Sequence, residues 1–545
     1  MERKMLGLRL DNLRGDLFGG LTAGVVALPL ALAFGEASGA GPIAGLYGAI
    51  IVGFFAALFG GTGSQISGPT GPMIVVFAGV FSALSGNPSL VFATVVLAGL
   101  IQVAFGVFKL GQYIKLVPYP VVSGFMSGIG CIIIALQTSR LFGHEPLGSG
   151  TIPALTAIPS AVLDPNWVAL GLGLLTLFIV FNWPTKLAKI VPPPLAALII
   201  GTVLSLFISG APILGDIPTG LPSFVFPEFS AETIVVVLEA AFVLALLGSL
   251  DSLLTSLVAD NMTRTKHNSN KELVGQGIGN IFAGFFGGIP GAGATMRTVV
   301  NIRTGGQTKI SGMVHSLLLF AIVISLGPLA AQIPHSVLAG ILVKVGYDIV
   351  DLAYLKRAHK GPRWDLVLMV LVLTLTVFVD LITAVVAGVV LASLAFVKQI
   401  ADLQLAKVVD QSSESNSVLS SEEKEIMDTV SDRATLFDFN GPLSFGAAAD
   451  LGHHVREKTK NSTALIMDFS EMPFLDVSAA RAVATISEDA VGSDKKIFIS
   501  GMNPDVKKVV LGLQEGSVSE DMFFESRRAA LEATRDYILG SSAES

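Results

Sequence analysis

Two glycine-rich breaks interrupt sequence that otherwise reads as membrane-length apolar helix, and no other feature restricts the fold as much. The later one runs Gly288-Ile289-Pro290-Gly291-Ala292-Gly293-Ala294-Thr295-Met296-Arg297-Thr298. Unpaired backbone amides and a guanidinium each cost several kcal/mol in hydrocarbon, so this stretch cannot face lipid. It has to line a polar cavity inside protein. The earlier break, Ser67-Gly68-Pro69-Thr70-Gly71-Pro72, has the same character. Two interrupted helices in different halves of a membrane chain point to a transporter's binding site.

Charged residues make up 14% of the 545 positions and hydrophobic ones 52%, whereas a soluble domain carries roughly 25% charged residues. Up to about residue 400 the chain is a series of apolar runs of about 17 to 25 residues, the length a bilayer requires. About fourteen such segments can be counted, and the broken ones, the third (69–85) and the tenth (294–303), stand about seven apart. The expected architecture is an α-helical membrane protein of about 14 transmembrane segments in a 7+7 inverted repeat.

Lysine and arginine in short loops stay on the cytoplasmic side. Loops after even-numbered segments hold Lys109 and Lys115, Lys186 and Lys189, Arg264, Lys266 and Lys271, Arg303 and Lys309, and Lys356, Arg357, Lys360 and Arg363. Those after odd-numbered segments hold almost only Arg140. With Arg3, Lys4, Arg9 and Arg14 ahead of the first span, both termini are expected in the cytoplasm. Residues 1–14 then form a cytoplasmic N-terminus and 15–400 the transport domain.

Several functions are excluded at this stage. A net charge of −7 supports no nucleic-acid partner, and the single cysteine, Cys131, supports neither a disulfide framework nor a cysteine metal site. An enzyme is not expected: there is no nucleotide loop, metal cluster or nucleophile beside a base. Gly275-Gln276-Gly277-Ile278-Gly279 lies in a membrane span, where glycine lets helices pack closely.

From about residue 400 the composition turns polar. Gln411-Ser412-Ser413-Glu414-Ser415-Asn416-Ser417 and Ser420-Ser421-Glu422-Glu423-Lys424-Glu425 mark 401–432 as a linker. Beyond it, strands are expected at 434–439, 463–469 and 496–500, with amphipathic helices near 444–458, 478–491 and 503–514. This alternation predicts a small cytoplasmic α/β domain over 433–541.

A helix N-terminus offers unpaired amide donors and about half a positive charge, so two such ends aimed at one point hold an anion without a side-chain cation. Pro69 suits the first turn of the third helix, with Ser67 or Gly68 before it, while Gly291 and Gly293 permit close approach ahead of the tenth. Thr70 and Thr295 would add hydroxyl donors. In the eighth segment Asp251 and Thr255 share a helix face, with Gly248 close to that stripe. Asp251 could coordinate sodium, carry a proton, or pair with Arg297. Arg297 itself is about 200° around an ideal helix from Thr295.

These residues and the soluble tail resemble the SulP anion transporters, also called sulfate permeases or solute carrier family 26. The resemblance covers nearly the whole chain and rests on Leu28-Pro29-Leu30-Ala31-Leu32-Ala33, Gly68-Pro69-Thr70-Gly71-Pro72, the Asp251 helix, Asn270-Lys271-Glu272-Leu273 before Gly275-Gln276-Gly277, and the tail. Within the family it is most similar to the BicA-type sodium-dependent bicarbonate transporters, through Ser256-Leu257-Val258-Ala259-Asp260, Ser269-Asn270-Lys271-Glu272-Leu273 and Gly291-Ala292-Gly293-Ala294-Thr295-Met296.

The likeness implies a bacterial inner-membrane protein in lipid, with a core of helices one to four and eight to eleven that moves against a gate of the other six, elevator fashion. It places bicarbonate at Thr70, Gly293, Ala294 and Thr295, with Arg297 near the anion, and sodium at Asp251, Thr255, Gly293 and Thr295. BicA-type proteins have glycine where Arg297 stands, whereas many other family members have arginine. Bicarbonate is therefore the expected cargo, with sulfate as its competitor, and sodium symport, proton symport and anion exchange all stay open. An anion channel or a membrane sensor is the alternative of another class.

The tail resembles a STAS domain. The phosphorylated serine that follows the aspartate in anti-sigma-factor antagonists is here Val477, in Leu475-Asp476-Val477-Ser478. A regulatory role, a cytoplasmic regulator as partner, or support of a homodimer is the expectation for this domain.

Overall fold

The structure, a computed structural model, describes residues 11–543 except 85–86, 115–117, 146–150, 189–190, 216–221, 228–232, 380, 407, 411–418, 431 and 513–518. Arg3, Lys4, Arg9, Lys115, Lys189 and the serine-rich stretch 411–417 lie outside the described residues. The chain divides into two units, Met1–Val390 and Leu391–Ser545.

The first unit contains α1 (Leu13–Ala37), α2 (Pro42–Phe59), β1 (Ser67–Gly68), α3 (Gly71–Ala83), α4 (Pro88–Val107), α5 (Gly111–Ile114), α6 (Tyr119–Leu141), α7 (Thr151–Leu163), α8 (Trp167–Asn182), α9 (Thr185–Ala188) and α10 (Pro193–Phe207). There follow α11 (Ile234–Thr263), α12 (Ser269–Phe285), β2 (Ala292–Gly293), α13 (Thr295–Arg303), α14 (Lys309–Ala330), α15 (His335–Ile349), α16 (Leu352–Leu355), α17 (Arg363–Phe378) and α18 (Leu381–Leu405), which reaches into the second unit. Every apolar run counted in the sequence falls on one of these helices. Besides the single-turn helices α5, α9 and α16, the described residues hold one longer helix outside that count: α7, which meets α8 at a 115° bend. Its prolines, Pro153 and Pro159, disguise it as loop.

The helices α3 and α13 are too short to cross a bilayer. The 13 residues of α3 and the 9 of α13 give lengths of about 20 and 14 Å, against a hydrocarbon core of about 30 Å. Both begin at a glycine-rich break. The first break differs from expectation in detail: Pro69 and Thr70 stay extended, and the helix starts at Gly71 with Pro72 in its first turn. Proline suits that first turn because its missing N–H has no intrahelical role there.

The helices sort into two groups. α1 to α4 and α11 to α14 pack chiefly on one another, while α6, α8, α10, α15 and α17 form a second bundle. Close approach within the first group depends on glycine: a Cβ on Gly277 of α12 would stand 2.5 Å from the Gly99 carbonyl oxygen of α4.

In the second unit, β3 (Val408–Asp410), β4 (Ala434–Phe439), β5 (Ala464–Asp468), β6 (Lys496–Ser500) and β7 (Phe523–Phe524) form one sheet in that order. Only β3 is antiparallel to its neighbour. Along β5 and β6, Leu465, Met467, Ile497 and Ile499 enter one apolar cluster and Ile466 and Phe498 the other. This period-two pattern, buried on both sides, is what a parallel sheet covered by helices requires. The helices are α19 (Ser421–Val430), α20 (Phe445–Lys458), α21 (Val477–Gly492), α22 (Pro504–Gly512) and α23 (Arg527–Ala543). The stretch 401–432 is therefore not linker throughout: the end of α18, edge strand β3 and helix α19 fall within it.

Candidate functional site

The two breaks meet. β1 and β2 pair antiparallel, with Ser67 opposite Gly293 and Gly68 opposite Ala292, so the chain leaves the pair directly into the N-termini of α3 and α13. The Ala294 amide also donates to the Ile66 carbonyl at 2.8 Å, and the Ile66 amide donates to Thr298 Oγ1 at 3.0 Å. Thr70 and Ala294 occupy the N-cap positions of α3 and α13, and neither helix receives a side-chain cap there. The opening amides of both helices thus lack internal partners, and their dipoles add at one place.

Side chains from α11 hold the second break in position. Gly293 donates its amide to Ser252 Oγ at 3.0 Å and accepts from Thr255 Oγ1 at 3.0 Å. Thr255 Oγ1 also lies 2.7 Å from Thr295 Oγ1. Glycine fits closely at 293: a Cβ would stand 2.3 Å from Gln65 Nε2 and 3.0 Å from Ser252 Cα, so a side chain there would have to push Gln65 out of its hydrogen bonds.

Arg297 reaches the opposite break. Its side chain is 2% exposed, Nη2 donates to the Pro69 carbonyl, and Nη1 has no hydrogen-bond partner. Two residues beyond Thr295 along α13, it crosses to the α3 side, where a Cβ on Gly68 would be 2.7 Å from Nη1. Asp251 and Arg297 interact electrostatically, and Thr70 lies beside the same carboxylate. Asp251 Oδ2 and Thr70 Oγ1 are both buried without a hydrogen bond. Three orphaned polar atoms of complementary chemistry therefore gather beside the paired helix ends, and the expected residues Thr70, Asp251, Thr255, Gly293, Ala294, Thr295 and Arg297 fall in one region.

A buried network not anticipated from the sequence supports them. Glu272 Oε2 accepts from the amides of Gly61 and Thr62, both at 2.8 Å, and Oε1 accepts from Gln65 and Gln276 at 2.9 Å. Gln276 also donates to Ser67 Oγ at 2.6 Å, while Asn280 bonds both the amide and the carbonyl of Gly291. Glu272, Gln276 and Asn280 recur every four residues along α12, and that polar stripe was the available signal.

The second bundle closes on this end. A Cβ on Gly71 would lie 2.7 Å from Ile349 Cδ1 and 3.0 Å from Ile133 Cδ1. Beside it a narrow cavity of about 20 Å³, room for about one water, lies between the groups, lined in part by Phe34, Ile74, Ile133, Gln137 and Leu342.

Crossed half-helices presenting bare amides inside a helical membrane unit, in a chain that continues into an α/β domain, define an anion carrier of the broken-helix kind. Comparison with known proteins bears this out. Residues 13–372 match the sulfate permease family and 425–530 the STAS domain. The bicarbonate transporter BicA of Picosynechococcus sp. is 45% identical over 510 residues, covering 91% of this chain and 89% of that one. The solved transmembrane domain of a cyanobacterial bicarbonate transporter BicA is 50% identical with a TM-score of 0.66, covering 69% of this chain and 98% of that one. The structure of SLC26A9 reaches a TM-score of 0.82 over 98% of this chain and 92% of its own at 18% identity, a likeness of fold.

The chain belongs to the sulfate permease family. It is a multi-pass membrane transporter with a STAS domain, and not an enzyme.

Proposed function

We propose that the chain carries bicarbonate across the bacterial inner membrane as a secondary transporter, by an elevator-like sliding of the α1–α4 and α11–α14 group against the second bundle. The observation that carries this reading is the β1–β2 pair, which aims two uncapped helix ends at one point. Hydrogen bonds from those amides and from Thr70 would hold an oxyanion. The likeness to BicA over nine-tenths of the chain favours bicarbonate over sulfate. A homodimer joined through the tail and gate helices, both termini in the cytoplasm, and a regulatory tail complete the reading.

For coupling, the oxygens at Asp251, Thr255, Gly293 and Thr295 suit sodium by donor type, but the local charge does not. Arg297 already faces Asp251, and a second cation beside a fixed guanidinium is repelled. We infer that Arg297 takes the role of a coupling cation: it neutralises Asp251 and leaves Nη1 free toward the anion. Without it, a buried carboxylate would cost several kcal/mol.

Proteoliposomes holding the full chain test the cargo. Labelled bicarbonate is expected to enter, with excess sulfate a weak competitor. Entry of sulfate in preference to bicarbonate would overturn the assignment.

A further inference from the structure

Arg140 is the exception to the charge rule read from the sequence, a lone cation on the face that otherwise carries almost none. The structure gives it partners. Glu36, in the last turn of α1, belongs to the first helix group; Arg140 on α6 and His335 at the start of α15 belong to the second. Glu36 Oε1 lies 3.6 Å from Arg140 Nη2 and 3.3 Å from His335 Nδ1. Glu145, beyond the end of α6, adds contacts of 3.1 Å to Arg140 and 3.5 Å to His335.

The hydrogen-bond geometry determines the protonation of this histidine. His335 Nε2 faces the Ile213 carbonyl at 3.1 Å, and a carbonyl can only accept, so Nε2 carries hydrogen. In a neutral ring Nδ1, which makes no hydrogen bond, would then be a bare lone pair within 3.5 Å of two carboxylate oxygens. A second proton removes that repulsion and leaves two carboxylates against two cations. Other titratable groups nearby do not replace it: His144 turns to the Asp164 carbonyl, and the neighbouring Ser336 is uncharged.

We propose that Glu36, Arg140, Glu145 and His335 form a proton-binding site at the boundary of the two helix groups, on the face opposite the N-terminus, and that proton occupancy latches the groups together there. The site rests on the elevator reading, since sliding must separate Glu36 from its partners. Protons bind better where His335 has its carboxylates, so acid favours the latched arrangement and alkali releases it.

The test uses the full chain in lipid nanodiscs, with Cys131→Ser and spin labels on cysteines replacing Pro88 of α4 and the exposed Trp167 of α8, one on each group. Interspin distances are measured between about pH 5 and 8, the range in which histidine titrates, and bicarbonate uptake is measured on the same labelled protein reconstituted in proteoliposomes. One distance component is expected in acid and a second in alkali, their ratio changing by up to about tenfold per pH unit for one proton. His335→Gln should abolish the shift, and Glu36→Gln should hold the alkaline distribution throughout. Distances that ignore pH while uptake proceeds would overturn the latch and leave the transport reading standing, as would a shift that survives His335→Gln. A shift without bicarbonate uptake would support the latch and place the failure in the transport reading.

Discussion

The break before α3 and the break before α13 differ in what their side chains bring. The first contributes an extended Ser67-Gly68-Pro69-Thr70 and an apolar 13-residue helix, with Thr70 as its hydroxyl and no charge of its own. The second opens a 9-residue helix that carries Arg297 and is held by Ser252, Thr255 and Asn280. Their backbones do the same thing, each ending in bare amides; their side chains do not. The backbone supplies attraction for any oxyanion, whereas the second break alone supplies the full positive charge that answers Asp251. On the proposed reading, anion binding and ion coupling would be separable properties of this one crossing, and substitutions on either side of it should affect them differently.

The largest effect is expected where the crossing itself cannot close. Gly293→Val forces a side chain into space held by Gln65 and Ser252, displacing Gln65 from Glu272 and costing about 1 to 3 kcal/mol for a buried group left unpaired. Uptake should fall to background, and thermal unfolding should begin at a lower temperature. Near-native uptake would mean that the β1–β2 pair is not needed for transport. The smaller effect lies on the uncharged side. Thr70→Val removes one hydroxyl from the proposed anion site, worth about 0.5 to 1.5 kcal/mol, so KM should rise about twofold to twelvefold with the maximal rate retained. An unchanged KM would remove Thr70 from the site.

Much of this contrast was legible before any coordinates. Apolar runs of bilayer length fixed where the helices fall, and an arginine beside glycines in such a run has few physical explanations other than a polar interior. The position of Arg297 was not legible, because a helical wheel turns it away from Thr295; only the length of its side chain lets it reach Pro69. The start of α3 was misplaced by two residues since Pro69 and Pro72 both fit a first helical turn, and periodicity does not choose between them. The supporting stripe of Glu272, Gln276 and Asn280 was visible in the sequence, yet its partners Gly61, Thr62, Gln65 and Gly291 come from distant segments. In the tail, α19 and α23 are polar on their outer faces and read as linker or terminus until the sheet they cover is known. The tail also settles one local question: Asp476 is occupied, capping α21 through Ala479 and accepting from Phe445, while Ser478 is exposed beside it.

The central claim is that helix ends and Arg297 together provide the positive charge for the anion, with no sodium required. Uptake of labelled bicarbonate into proteoliposomes, with and without an inward sodium gradient, tests it when the native chain is set beside Arg297→Gly. The native protein should transport equally in both conditions, while the variant should lose at least about tenfold without sodium, its Asp251 being left uncompensated, and recover when sodium is supplied. Native uptake that collapses without sodium, or a variant indifferent to the substitution, would contradict the account.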